Sequence, residues 1–267
     1  MFKEKINRLI LKDKNLNLSH KKYQKFVKNS FYSILSLGLI FRLIYYYRCS
    51  YIEDDSGLYL SIAKAYYLGN TLPPFELPFY PLLISYGTHL GFNPVSFAFY
   101  LSLLASFVVV LTSYGIGKLI FKKHYYALLA MGVVASHPTL IVLGSRILRD
   151  GIYLMWFVLA VYFLLLAYKK SKLYYWGIVG FIVAIASFFR KEAAEILILI
   201  VLSGAFAFYT YKDRLTRKFY YFTKVAIVLT ITMTSSFAAL NYLTYGELKL
   251  QENIITHCID KLRSVKR

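Results

Sequence analysis

The stretch FYSILSLGLIFRLIYYYRCSYIEDDSGLYLSIA, residues 31–63, decides the class of fold. It opens with an apolar run, passes through Tyr45-Tyr46-Tyr47, and arrives at Glu53-Asp54-Asp55-Ser56-Gly57-Leu58-Tyr59. Three carboxylates stand in a row in a chain that has only 13 Asp and Glu against 32 Lys and Arg. Similar apolar runs follow at 95–120, 125–143, 151–168, 174–189, 193–211 and 220–243. Most approach the roughly 20 residues that a helix needs to cross about 30 Å of hydrocarbon. Tyrosines gather at their ends, as in Tyr125-Tyr126, Tyr174-Tyr175 and Tyr220-Tyr221. Amphipathic rings prefer the headgroup level, so they mark segment boundaries. With 58% hydrophobic residues and a mean hydropathy of +0.51, a soluble core is excluded as the explanation. The expectation is an all-α integral membrane protein with about seven transmembrane helices.

The net charge of +19 would suit nucleic acid, but its distribution points elsewhere. Nine Lys and Arg lie in the first 28 residues, and most of the others fall in short gaps between apolar runs. That is the positive-inside pattern. No folded domain with a basic readout face is visible, so no nucleic-acid partner is expected. Membrane lipids are, because basic segments beside a membrane attract anionic headgroups. The two cysteines, Cys49 and Cys258, are too few for a disulfide framework. The first apolar run ends in Tyr45-Tyr46-Tyr47-Arg48-Cys49 rather than in small residues, so it reads as a retained anchor and not a cleaved signal.

Charge parity then sets the topology. With residues 1–28 as a basic cytoplasmic segment, helix one (about 30–48) runs outward and leaves Glu53-Asp54-Asp55 outside. The next basic loop, 118–123, belongs inside, so only the run 95–120 can cross between them. Counting the short run 79–92 as a span would put Lys169-Lys170 and residues 212–218 outside. Residues 49–92 are therefore read as one long outer loop carrying interfacial helices. Further helices follow at about 124–143, 150–168, 174–189, 193–211 and 220–243. The transmembrane domain spans 29–244, and 245–267 forms a short polar extracytoplasmic tail. The chain is placed in the cell membrane, multi-pass, with its N-terminus cytoplasmic.

Three outer segments converge on one membrane face: Asp54-Asp55 with Tyr59; Arg146, Arg149 and Asp150; and Arg190, Lys191, Glu192 and Glu195. Arg42 adds a charge inside helix one near its outer end. A charge within a span costs on the order of 2.5–3.5 kcal/mol on insertion scales, so these groups are expected to be paired, used, or both.

In this order the motifs resemble a family. Asp55-Ser56-Gly57-Leu58-Tyr59-Leu60-Ser61-Ile62-Ala63, Gly69-Asn70 and Pro78-Phe79-Tyr80-Pro81-Leu82-Leu83 are similar to the first outer loop of GT-C-type glycosyltransferases. These polytopic enzymes use polyprenyl-phosphate-linked sugars, and they include protein O-mannosyltransferases and lipid A aminoarabinose transferases. Arg149-Asp150-Gly151-Ile152-Tyr153 is similar to the family's second acidic motif. Residues 177–190 resemble its small-residue helix ending in a cation, and Arg42 resembles an Arg late in helix one. The resemblance covers about 30–210. Family members usually have more helices and often a C-terminal outer domain. Asp54 and Asp55 compete for the family's catalytic position, and spacing to Tyr59 favours Asp55.

The resemblance implies transfer of a sugar from a polyprenyl-phosphate carrier to a hydroxyl of a lipid, glycan or protein acceptor, on the extracytoplasmic side, with inversion. The residue types suit that chemistry. A carboxylate at the membrane face, Asp55 or Asp54, can take the acceptor proton. Guanidinium groups bind phosphate bidentately, so Arg149, Arg146 or Arg190, with Lys191, can neutralise the leaving group. Tyr59, Asp150, Glu192 and Arg42 support them. Asp54, Asp150 and Glu192 are candidate ligands for Mg²⁺ or Mn²⁺, which prefer hard oxygen donors. Each group also has a plainer reading. Asp54-Asp55 can cap the following helix, as can Asp150; Arg146 and Arg149 can snorkel; Arg190-Lys191-Glu192 can be a solvated turn. Arg42 is weighted towards a structural role, bonded to an outer acid or carbonyl, and His89 and His137 towards ordinary interface positions. The competing functional classes are a non-catalytic, shortened relative or lipid-binding subunit acting with a partner, and a transporter, which would bury its acids mid-helix.

The topology has a direct check. A cysteine placed at Asn70, in a background without Cys49 and Cys258, should react with an impermeant maleimide from outside only. Labelling only from the cytoplasmic face would contradict it.

Overall fold

The spanning helices begin and end where local chemistry says they should. Asn93 accepts hydrogen bonds from the backbone N–H groups of Val95 (3.0 Å) and Ser96 (3.2 Å), and Pro94 occupies the first helical position. Cap and proline together satisfy or remove donors that a helix start leaves open. In a computed structural model of the chain, which describes residues 2–48, 54–69, 79–121, 123–193, 198, 200 and 215–245, this helix is one of nine α-helices whose bounds are described, apart from the helical residues 198 and 200. They are α1 (Phe2–Arg48), α2 (Asp54–Tyr67), α3 (Phe79–His89), α4 (Pro94–Ile120), α5 (His124–Ser136), α6 (Pro138–Leu143), α7 (Arg149–Lys170), α8 (Leu173–Phe189) and α9 (Leu215–Tyr245), with a short 3₁₀ turn at Lys191–Ala193. No strand occurs among the described residues. The chain is an all-α membrane protein.

Among the described residues four stretches are long and apolar enough to cross a bilayer: Lys22–Arg48, Pro94–Ile120, Arg149–Lys170 and Phe222–Leu240. His124–Ser136 and Leu173–Phe189 are shorter apolar helices. The short helices α2 and α3 cannot span. They pack on each other and on the start of α4, in the long loop where interfacial helices are expected. The expected sixth helix, at 193–211, falls largely outside the described residues, as do the tail from 246 and the segments 49–53 and 70–78.

Two boundaries differ from the sequence reading. The helix expected over about 124–143 is broken. Pro138 has no N–H, and its ring drives His137 to φ −66°, ψ 122°, so α5 stops at Ser136 and α6 restarts at Pro138. Helix one, expected from about 30, begins at Phe2. Lys, Leu, Arg and Asn interrupt no helix, so the basic segment and the span are continuous.

α4 and α7 run parallel. Tyr162 packs on Gly115 near one end, and Ala105 and Ile152 share a core cluster towards the other. The broken α5–α6 helix makes the return between them. α8 runs back along α7, and α9 lies parallel to α8, with Phe188 against Phe237 at 5.0 Å and Gly177 beside Val228 and Thr232. Close backbone approach is what holds such helices together in lipid, where burial of apolar surface gives no drive. At Gly180 a Cβ would stand 3.0 Å from the Leu229 carbonyl oxygen, and at Gly117 one would stand 2.7 Å from Ala127 Cα. One end of the bundle carries Lys118, Lys123 and Lys169-Lys170, and the other carries α2, α3, Asp150 and Glu192. We call these the basic and acidic ends.

Near the acidic end, Arg42 is fully buried at 2% exposure. Its Nη1 donates to the carbonyl of Gly38 (2.8 Å) and across to that of Ala135 (3.0 Å), and its Nε donates to Ser106 Oγ. Ser145 Oγ donates to the Arg42 carbonyl at 2.9 Å. Ala135 lies in the last turn of α5, whose carbonyls have no N–H ahead of them once Pro138 ends the helix. The arginine thus replaces a hydrogen bond that the break removes, as backbone inside a membrane requires. Arg42→Ala should lower stability in detergent by roughly 3 kcal/mol, because buried acceptors are left unpaired. Arg42→Lys should recover little of this, since one ammonium cannot reach both ways as a guanidinium does. An unchanged unfolding temperature for Arg42→Ala would contradict the role.

Candidate active site at the acidic end

The first turn of α2 carries Asp54, Asp55 and Ser56, an acidic start that complements the helix dipole. Ser56 is buried, and its Oγ donates to the carbonyl of Ile147 at 3.0 Å. This bond fixes the start of α2 to the segment that leads into α7. Arg149 and Asp150 occupy the first turn of α7. Gly151 lets that turn close on α6, because a Cβ there would meet the Leu143 carbonyl oxygen at 2.9 Å.

Tyr59 lies one turn beyond Asp55, on the same side of α2. It is 5% exposed and packs edge-on against Tyr80, with ring centroids 5.2 Å apart. Both belong to a cluster with Ile84, Ala98, Ile147, Ile152, Ile185 and Phe189, and this cluster joins α2, α3, α4, α7 and α8 beneath the site. Burial pushes the Tyr59 phenol above its ordinary range. Arg149 pulls it down, Asp55 and Asp150 push it up, and Arg190 pulls it down. Two carboxylates and two guanidiniums, from α2, α7 and the end of α8, therefore act on one hydroxyl. Burial raises Tyr80 well above the ordinary phenol range.

The charges divide into two kinds. Arg190, at the end of α8, lies 3.2 Å from Asp150 and 3.3 Å from Glu192, with its guanidinium 5.7 Å from the Tyr153 ring centroid. This ion pair ties the start of α7 to the end of α8. Asp55 is exposed, Arg149 is half-buried, and neither makes a hydrogen bond or ion pair among the described residues. Arg146 is engaged otherwise, and its Nη2 donates to Tyr45 Oη at 3.4 Å.

Of the residues singled out in the sequence, Asp55, Tyr59, Arg149, Asp150, Arg190 and Glu192 come together. Arg42 lies in the bundle as a structural tie. The side chains of Asp54 and Lys191, and all of Glu195, lie outside what is described. Among the described residues no three His, Cys, Asp or Glu side chains group as metal ligands. Asp150 and Glu192 both face Arg190, so a cation there would have to displace it. Ser56, Tyr80 and Tyr45 were missed as supports. Ser56 and Tyr80 stand within the motifs quoted above, but nothing in their spacing reveals a carbonyl 91 residues away or a partner ring on the next helix.

The family model for dolichyl-phosphate-mannose-protein mannosyltransferases matches residues 73–237, well over half of the chain. The protein belongs to this family of membrane glycosyltransferases. The matched stretch includes Tyr80, Arg149, Asp150, Arg190 and Glu192, and begins downstream of Asp55 and Tyr59. No curated protein and no solved structure matches the chain.

The Asp150–Arg190 pair has a measurable strength. Its side chains are 37% and 34% exposed, so water screens it. A double-mutant cycle with Asp150→Asn and Arg190→Gln, read by thermal unfolding, should give a coupling of about 0.2–1 kcal/mol. No coupling would mean the two side chains do not meet.

Proposed function

We propose that this protein transfers a sugar, mannose by its family, from a polyprenyl-phosphate carrier to an acceptor hydroxyl at the acidic end of the bundle. That end faces away from the cytoplasm, as the lysine-rich connections at the other end favour. The observation that carries the reading is the convergence on the buried Tyr59 of a carboxylate, Asp55, and a guanidinium, Arg149, neither of which has a hydrogen bond or ion pair among the described residues.

In this reading Asp55 accepts the proton of the acceptor hydroxyl as that oxygen attacks the sugar C1. The C1–O bond to phosphate breaks on the opposite face, so the configuration inverts. The electron pair leaves with the carrier phosphate, and Arg149 meets the developing charge. Arg190 keeps α7 and α8 together through Asp150 and Glu192, and Tyr59 bridges the two functional charges. The chain's own groups thus supply base and counter-charge. A divalent cation on Asp54, Asp150 or Glu192 would be an added source of positive charge. It would act on the same phosphate and would compete with Arg190.

Asp55→Asn, in membranes supplied with lipid-linked mannose, should reduce transfer by about 10²–10⁴-fold, the usual share of a general base, at unchanged protein level. Full activity in that variant would sink the assignment. Binding of polyprenyl phosphate by wild-type protein without any turnover would favour the non-catalytic reading instead.

A further inference from the structure

Opposite the catalytic end, a cavity of about 460 Å³ opens at the basic end between α1, α4 and α7. Phe31, Leu111 and Leu119 form its apolar wall, and Lys118, Lys169 and Lys170 stand at its rim. The last turns of α4 and α7 present these lysines, and all three are exposed. Lys118 Nζ lies 5.7 Å from the Tyr114 ring centroid, which holds it over the cavity wall. Its floor is formed by the Tyr162 ring, which packs directly against Gly115 because that residue has no Cβ.

Among the residues whose side chains are described at this end, the lysines meet no carboxylate. The connections on either side carry Lys118, Lys122, Lys123, Lys169, Lys170 and Lys172, and no Asp or Glu occurs between residues 77 and 149 or between 151 and 191. The three rim lysines therefore converge without a carboxylate among the residues that line the cavity. An apolar wall topped by three ammonium groups matches a phosphate-bearing headgroup with the beginning of an acyl chain below it. The size lies in the range of small-molecule sites, about 300–1,000 Å³.

We propose that this cavity holds an anionic phospholipid, with its phosphate on Lys118, Lys169 and Lys170 and its chain along Phe31, Leu111 and Leu119. The lipid joins the long α1 helix to the α4–α7 pair. The proposal rests on the membrane fold and stands apart from the transferase reading.

The test is thermal unfolding of the full chain in neutral detergent, titrated with phosphatidylglycerol, phosphatidylcholine or inorganic phosphate. Phosphatidylglycerol should raise the unfolding temperature saturably, and the other two should not. Lys118→Gln/Lys169→Gln/Lys170→Gln, all surface changes, should weaken the apparent affinity by about tenfold or more. Leu111→Trp, which fills the apolar part and leaves every charge in place, should weaken it as well. Lys123→Gln/Lys172→Gln, on the same face but outside the cavity, should bind as wild type. An equal response to phosphatidylcholine, a full response to phosphate alone, wild-type binding by the triple or the Leu111 variant, or an equal loss in the Lys123/Lys172 control would overturn the proposal.

Discussion

The acidic end of this bundle depends on Arg42. Pro138 breaks the return helix between α5 and α6, which strips the last turn of α5 of its backbone donors. In water such carbonyls would be hydrated; inside a membrane each unmet group costs several kcal/mol. Arg42 meets that demand at Ala135, ties in Ser106 on α4, and accepts Ser145 at its own carbonyl. One buried guanidinium thus joins α1, α4 and α5, and the backbone carbonyl of the same residue holds the segment leading to α7. A charge inside a span would otherwise be unfavourable, and its carbonyl and hydroxyl partners are what make it tolerable.

The site follows from that tie. Ser145 donates to the α1 backbone at the Arg42 carbonyl, and Arg146 reaches Tyr45 three residues further along α1. Ile147 then receives Ser56, and Arg149 begins α7. Each link fixes the next, so the first turn of α2 and the first turn of α7 are set against one another by buried hydrogen bonds rather than by their own charges. The charges are then free to differ. Arg190 engages Asp150 and Glu192, whereas Asp55 and Arg149 have no ion-pair partner among the described residues. In the proposed reading this contrast supplies a rigid frame and, within it, an acid and a cation for the substrate.

Most of the helical layout was legible because apolar runs and their tyrosine and lysine borders are one-dimensional signals. α4, α7, α8 and α9 begin and end close to the borders read from those runs. The break at Pro138 was not read, because hydropathy continues through it while backbone hydrogen bonding does not. The start of α1 was placed late because charge ends a membrane span without ending a helix. At the site, the clustering of three outer segments came from parity of crossings, and the structure brings Asp55, Tyr59, Arg149, Asp150, Arg190 and Glu192 into one region. Which arginine would be tied and which left open was not legible. That choice depends on how α7 and α8 lie across a distance of 40 residues in sequence. The partners of Arg42 are backbone carbonyls and a serine, which no residue pattern marks.

The measurement that bears most directly on this account is a structure of the protein in a lipid nanodisc with a non-transferable polyprenyl-phosphate mannose analogue. The account predicts the phosphate against Arg149 and the sugar C1 turned towards Asp55, beside the Tyr59 hydroxyl. A phosphate bound only among the lysines of the basic end, with the region around Asp55 and Arg149 unvisited, would contradict it.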